Sequence, residues 1–221
     1  MNDNQIEIQN VSKKIKGALV LNNIDLKFKA GQTYGLTGIN GSGKTMILRT
    51  IAGLIKPNTG CVKIGDKSIK MGGVPEGIGA MIENPSFVNE FTGAQNLELL
   101  SLLSKKHKSI KNEINNILDR VGLNPEDKRL FHKYSLGMKQ RLGIAQAIIG
   151  QPKIVLLDEP TNALDESGIN RLVKIIDQLQ ANNVTIIVAS HDRSFLQVIT
   201  NTQNIIRLEN GCVVSEMDAV L

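Results

Sequence analysis

The feature that most constrains this chain is the run Gly38-Ile39-Asn40-Gly41-Ser42-Gly43-Lys44-Thr45. Glycine, any four residues, glycine, lysine and then serine or threonine is the spacing of a phosphate-binding loop. The flanks give the pattern its meaning. Upstream, Gln32-Thr33-Tyr34-Gly35-Leu36-Thr37 reads as a strand that ends at the first glycine; downstream, residues 46–54 place apolar side chains at helical spacing. Glycines at 38, 41 and 43 let the backbone take positive φ and turn its amides inward. Those amides and the start of the helix make a concave site for phosphate oxygens. Lys44 is placed to reach the β- and γ-phosphates, and the Thr45 hydroxyl to sit on Mg²⁺. Loop and flanks together predict a nucleoside triphosphate site rather than an ordinary glycine-rich turn.

The chain's 221 residues suit one α/β domain carrying a subdomain. Hydrophobic content of 41% and charged content of 21% are those of a globular protein. Aromatic residues make up 3% and Trp is absent, so the core has to be mostly aliphatic. A net charge of +5 would draw nucleotides, nucleic acid or anionic membrane surfaces. A few extra lysines on a solvated face are the commoner explanation, and no nucleic-acid partner is expected. Cys61 and Cys212 stand apart without metal-ligand spacing, which suits a reducing compartment. The opening Met1-Asn2-Asp3-Asn4-Gln5 lacks the character of a signal peptide. No apolar run approaches the roughly 18 residues of a membrane span, so a membrane role is expected only through a partner.

Short half-buried strands are expected first, with Ile6 and Ile8, then Ile24, Leu26 and Phe28, then Val62 and Ile64 alternating with polar neighbours. Lys56-Pro57-Asn58-Thr59-Gly60 is a turn. Ile78-Gly79-Ala80-Met81-Ile82 reads as a buried strand ending at Glu83-Asn84-Pro85. From residue 86 to about 133 the pattern becomes helical. Leu97, Leu99, Leu100, Leu102 and Leu103 lead into a polar turn at Lys105-Lys106-His107-Lys108, followed by Ile110, Ile114, Ile117, Leu118 and Val121 at helix spacing. This block reads as a helical insertion into an α/β core. Residues 140–149 form another helix. Residues 154–157 and 184–188 are buried strands with a helix over 169–179 between them, the pattern of a parallel crossover.

The strand at 154–157 runs into Asp158-Glu159. A carboxylate at that place is where Mg²⁺ needs a partner, which fits Asp158, and Glu159 is placed to polarise an attacking water. Two adjacent acids beside apolar strands are costly unless a cation offsets them; the alternative is that they only cap the turn at Pro160-Thr161-Asn162. His191 follows the next buried strand in the same way, after Ala189-Ser190. Ligands collect at the carboxyl ends of parallel strands, so Thr37, Asp158 and His191 are expected on one edge, with His191 a γ-phosphate contact.

A third run, Tyr134-Ser135-Leu136-Gly137-Met138-Lys139-Gln140-Arg141-Leu142, carries a resemblance. Ser135 can cap the helix that follows, and Gly137 lets the backbone close on an anion, although a helix cap alone would account for Ser135. These pieces in this order resemble the nucleotide-binding subunits of ABC transporters over essentially the whole chain, with this run similar to the signature loop. The resemblance implies a P-loop NTPase core with a mostly parallel sheet, an N-terminal antiparallel β subdomain and an inserted α-helical subdomain. The implied boundaries are one domain over 1–221, its core at 1–82 and 135–221 and its helical insertion at 83–134. By resemblance, residues 38–45 are the Walker A loop, Ile154 to Asp158 the Walker B strand, and Glu159 the catalytic base. Ala163-Leu164-Asp165 is the D-loop and His191 the switch histidine. It further implies a head-to-tail dimer (a homodimer or a pseudo-dimer) with ATP between one copy's Walker A loop and its mate's Ser135 and Gly137. The bilayer partner is an integral membrane permease, which places the chain at the cytoplasmic face of the membrane.

Two departures from that family stand out. Many members stack adenine on an aromatic upstream of Walker A, whereas the nearest candidates here are Ile15 and Val20, so base recognition rests on apolar contact. Where most members carry a metal-ligating Gln, this chain has Glu83. With Phe87, the Leu97-Glu98-Leu99-Leu100 run and Ser135-Leu136-Gly137-Met138, Glu83 is similar to the ATPases of exporters that protect bacteria from lantibiotics and bacitracin-like peptides. That likeness implies Glu83 as a third metal ligand beside Thr45 and Asp158, and a role in coupling to the permease; the alternative is that Glu83 points to solvent and a water takes its place. Set against this reading are a soluble single-cassette ATPase of cofactor assembly and a non-hydrolysing nucleotide sensor, the latter opposed by the presence of Glu159.

Overall fold

In a computed structural model the described residues are 4–69, 72, 75–83, 86–103 and 110–215. The readings placed on Met1-Asn2-Asp3, Asn84-Pro85 and the Lys105 to Lys108 turn lie outside them.

Two sheets stack, and the alternation in the sequence decides which face each strand shows to which layer. The first is antiparallel, in the order β2 (Ala18–Phe28), β1 (Ile6–Ile15), β4 (Thr59–Ile64), β5 (Lys67–Ser68). The second has six strands in the order β10 (Cys212–Ser215), β9 (Ile205–Glu209), β3 (Thr33–Thr37), β8 (Thr185–Ala189), β7 (Ile154–Asp158), β6 (Ile78–Met81). Only β10 runs antiparallel to its neighbour. The expected P-loop architecture, a mostly parallel sheet with an antiparallel β subdomain and a helical insertion, is therefore what the chain adopts.

Strands β7 and β8 are buried at every position, as central strands of a two-faced sheet must be. Ile154, Leu156, Ile187 and Ala189 join Ile6, Ile8, Phe28 and Leu48 in one apolar cluster beneath the antiparallel sheet and helix α1 (Lys44–Ile51). Val155, Leu157, Ile186 and Val188 point the other way. There they meet α4 (Leu136–Ile148), α5 (Glu166–Ala181) and α6 (Arg193–Ile199).

Between β6 and α4 lie α2 (Gly93–Leu103) and α3 (Ile110–Val121). Ile114, Ile117, Leu118 and Val121 of α3 share a cluster with Leu142 and Leu172, so the insertion packs onto the core's own helices. The helical reading of residues 86 to 133 was too broad, for two local reasons. Buried Asn96 ties its side chain to both the amide and the carbonyl of Val88, holding 86–92 in a non-helical turn. Helix α2 then starts at a reciprocal pair, in which Thr92 Oγ1 accepts from the Gln95 amide and Gln95 Oε1 from the Thr92 amide. Beyond α3, Gly122 at φ 79° and the Asn124–Glu126 side-chain turn stop the helix until a short 3₁₀ turn at Phe131–Lys133. The hairpin β9–β10 and helix α6 were not anticipated.

Candidate active site

The loop at 38–45 leaves β3 and enters α1 through three glycines at φ 151°, 82° and 110°. At Gly38 a side chain is sterically impossible, since a Cβ there would sit 2.3 Å from the Leu208 carbonyl and 2.6 Å from Ser42 Oγ. The loop is buttressed by an element the sequence reading missed: the Ser42 carbonyl accepts from Gly211 N at 3.0 Å, and Asn22 N donates to the Gly211 carbonyl at 2.8 Å. The signal for that hairpin was present, because Ile205-Ile206 and Leu208 precede an Asn210-Gly211 turn and two valines.

Lys44 is 5% exposed, and its Nζ donates to the carbonyls of Gly38 (2.7 Å) and Ile39 (3.2 Å), so the loop is closed around its own ammonium. Ser42 Oγ is buried without a partner, while Asn40 and Gly41 lie at the exposed rim. Val20 adjoins the loop, its carbonyl 3.1 Å from where a Gly43 Cβ would be. Ile15 lies at the far end of β1, paired with Ala18 and about a third exposed.

Adjacency of β3, β8 and β7 brings their carboxyl ends to this loop. Thr45 Oγ1 donates to Asp158 Oδ2 at 2.8 Å. Burial pushes the Asp158 carboxyl above the usual carboxylate range, and the Thr45 hydroxyl opposes that shift only in part. Its other oxygen, Oδ1, is buried and unpartnered. A desolvated carboxylate with an open lone pair beside a hydroxyl is half of an oxygen cage. Such a set suits a hard divalent cation that arrives with a nucleotide's phosphates.

Glu159 sits at φ 46° with its amide bonded to the Ala189 carbonyl at 2.8 Å. Its carboxylate accepts from His191 twice, from the backbone N at 3.1 Å and in contact with Nδ1 at 2.8 Å. An ionised carboxylate only accepts, so Nδ1 is the donor in this contact. Lys44 Nζ is 3.8 Å from Glu159 Oε1. Thus Lys44, Thr45, Asp158, Glu159 and His191, expected together from the sequence, lie on one sheet edge.

Glu83 meets the cluster through its backbone, whose amide lies against the Asp158 carboxyl and draws its pKa down, while its side chain pairs elsewhere. Its backbone is in the left-handed region at φ 60°, its side chain is 55% exposed, and its carboxylate pairs with Arg49 at the end of α1. The reason is electrostatic. Asp158 is already a buried, poorly compensated carboxylate, and a second negative group is better placed against a guanidinium in water. The Glu83 carboxylate, expected by resemblance as a metal ligand, rests on Arg49, a partner for which the sequence offered no signal.

Ser135 caps α4, its Oγ accepting from the Met138 amide at 3.2 Å. Gly137 faces Ala163, whose carbonyl would be 2.8 Å from a Cβ at that position. Asp165 caps α5 through the Gly168 amide and binds Arg141 Nη2 at 2.7 Å. The Gly168 amide, the Ser167 hydroxyl and Arg141 hold its carboxyl below the usual range. Among the described residues, the hydrogen bonds made by Ser135 and Asp165 run within this α4–α5 region, Arg141 adds one to the Gly122 carbonyl beyond α3, and none reaches 38–45.

A glycine cradle with a buried lysine, a strand-end acid pair and a histidine on the carboxyl edge of a parallel sheet define a P-loop nucleoside triphosphatase. The family model for ABC transporters matches residues 21–162. The chain is 44% identical over 189 residues to the uncharacterized ABC transporter ATP-binding protein YybJ of Bacillus subtilis (strain 168), covering 85% of this chain and 86% of YybJ. It is 37% identical to the bacitracin transport ATP-binding protein BcrA of Bacillus licheniformis, over 91% of this chain and 66% of BcrA. With the lantibiotic transport ATP-binding protein SrtF of Streptococcus pyogenes it shares 35% identity over 84% of this chain and 80% of SrtF. Among solved structures, the dimeric post-hydrolysis cassette MJ0796 bound to ADP and Pi superposes with a TM-score of 0.85 at 25% identity, over 97% and 99% of the two chains. The chain belongs to the ABC transporter family, as an ATP-binding ATPase cassette. No helix among its described residues is long and apolar enough to cross a membrane.

Proposed function

We propose that this chain is the ATP-hydrolysing motor of an exporter for bacitracin- or lantibiotic-like antimicrobial peptides, acting on a separate integral membrane permease from the cytoplasmic face. The observation that carries the catalytic part is the Glu159 carboxylate, fixed by two contacts from His191 within 4 Å of Lys44. ATP binds with its phosphates in the amides of Gly38, Asn40, Gly41, Ser42 and Gly43. Lys44 exchanges loop carbonyls for phosphate oxygens, and Ile15 and Val20 give adenine an apolar contact. Thr45 and Asp158 would hold Mg²⁺, which neutralises phosphate charge when bound. Glu159 takes the proton of an attacking water, held in aim by His191. Ser135 and Gly137 of one copy, with Asp165 alongside, close over the nucleotide of the other, so an intact γ-phosphate joins two copies and its loss parts them.

The peptide assignment rests on likeness to BcrA and SrtF and on Glu83, which precedes the helices of the insertion in the sequence. The test pairs turnover with phenotype. Lys44→Ala lowers ATP hydrolysis by about 10²-fold or more and, co-expressed with the cognate permease, removes the tolerance to these peptides that the parent chain confers. Equal tolerance with either chain contradicts the proposal.

A further inference from the structure

One face of α4 holds the loop that carries the catalytic acid. Gly137, Gln140 and Arg141 are spaced i, i+3, i+4 and so share a side of the helix. Each meets residues 159–165 at a different point. Gly137 lets the Ala163 carbonyl approach to where a side chain would stand, Gln140 Nε2 donates to the Glu159 carbonyl at 3.0 Å, and Arg141 Nη2 donates to Asp165 Oδ1 at 2.7 Å. Arg141 also reaches back to the Gly122 carbonyl at 3.2 Å, tying the same helix to the end of α3.

The middle of these contacts falls where the backbone is strained. Glu159 is a non-glycine residue at φ 46°, a conformation that persists only where its surroundings over-determine it. Three hydrogen bonds do so: its amide to Ala189, and its carbonyl from Asn162 N at 3.2 Å and from Gln140. The first two belong to the strand end and the turn. Gln140 alone of the three partners is a side chain, and it comes from the helix capped by Ser135. The direction of the Glu159 side chain, and so its aim at His191, follows from the backbone angles these bonds fix.

We infer that Gln140 is a positioning residue for Glu159, linking the helix that meets the other copy's nucleotide to the base of its own copy. This rests on the reading of Glu159 as the base. Closure of Ser135 and Gly137 on the mate's ATP then bears on α4, and α4 holds Glu159 through one side-chain amide. Nucleotide in one site thereby sets the geometry of the acid in the other.

The experiment replaces Gln140 by Met, which keeps the length and loses the donor, and by Glu, which keeps size and polarity but puts an acceptor against the carbonyl. Steady-state hydrolysis is measured for each, together with the ATP-dependent dimer of the same substitutions in a Glu159→Gln background. The expected result is a kcat about five- to tenfold lower with KM for ATP unchanged and the trapped dimer intact. Unchanged kcat in both variants overturns the inference. So does loss of the dimer in the Glu159→Gln background, since that would make Gln140 part of the intersubunit contact instead. Normal hydrolysis by Glu159→Gln alone would refute the assignment of the base, whereas a dead Glu159→Gln beside a normal Gln140→Met would refute only the role given to Gln140.

Discussion

Asp158 shows how a site's chemistry is written into a single residue's discomfort. It is 8% exposed, one oxygen rests on Thr45, and the other has no partner. Because burial raises its carboxyl above the unfolded value of about 3.9, the folded chain holds that proton more tightly than the unfolded chain does. Its contribution to stability is therefore greatest below the unfolded pKa and is lost as pH rises through the raised folded value. Without nucleotide or divalent ions, Asp158→Asn should be the more stable protein at neutral pH, by about 1 kcal/mol or roughly 2–4 °C in Tm. Its advantage should shrink on acidification, and hydrolysis should be lost. Thermal melts from weakly acidic to neutral pH check this; a variant less stable than the parent at pH 7 would mean that the ionised carboxylate is better compensated than its unpartnered oxygen implies.

Among the elements, α4 joins more of the site than its short signature run suggests. Its N-cap is one hydroxyl on one amide, so Ser135→Ala should lower stability by about 1 kcal/mol, read as a drop of roughly 2–4 °C in Tm, with the fold retained. The strands and helices of the α/β core, apart from β9, β10 and α6, were legible because each carries its own periodicity or a continuous apolar run, as in Ile154 to Leu157 and Thr185 to Val188. The loop, Asp158, Glu159 and His191 were legible because spacing and strand ends place them. Less legible was whatever depends on a distant partner. Gln140 and Arg141 look like ordinary helix residues until α4 is laid against residues 159–165, and the Arg49 partner of Glu83 is apparent only in the fold. Helix limits in 86–133 failed for a related reason, since Asn96 and Gly122 stop helices through side-chain bonds and backbone angles that apolar spacing does not register.

At the scale of the molecule, the loop, Asp158, Glu159 and His191 gather at the edge of β3, β7 and β8, whereas Ser135 caps α4 and is exposed and Gly137 lies against Ala163, neither bonded to residues 38–45. The proposal supplies what completes each half, namely a second copy turned head to tail, with ATP between them and a permease responding to their closure. Light scattering on size-separated Glu159→Gln with saturating ATP and Mg²⁺ measures that claim directly. The account predicts a particle of twice the 24.1 kDa protomer mass that reverts to one protomer when nucleotide is removed. A single-protomer mass with ATP fully bound would contradict it.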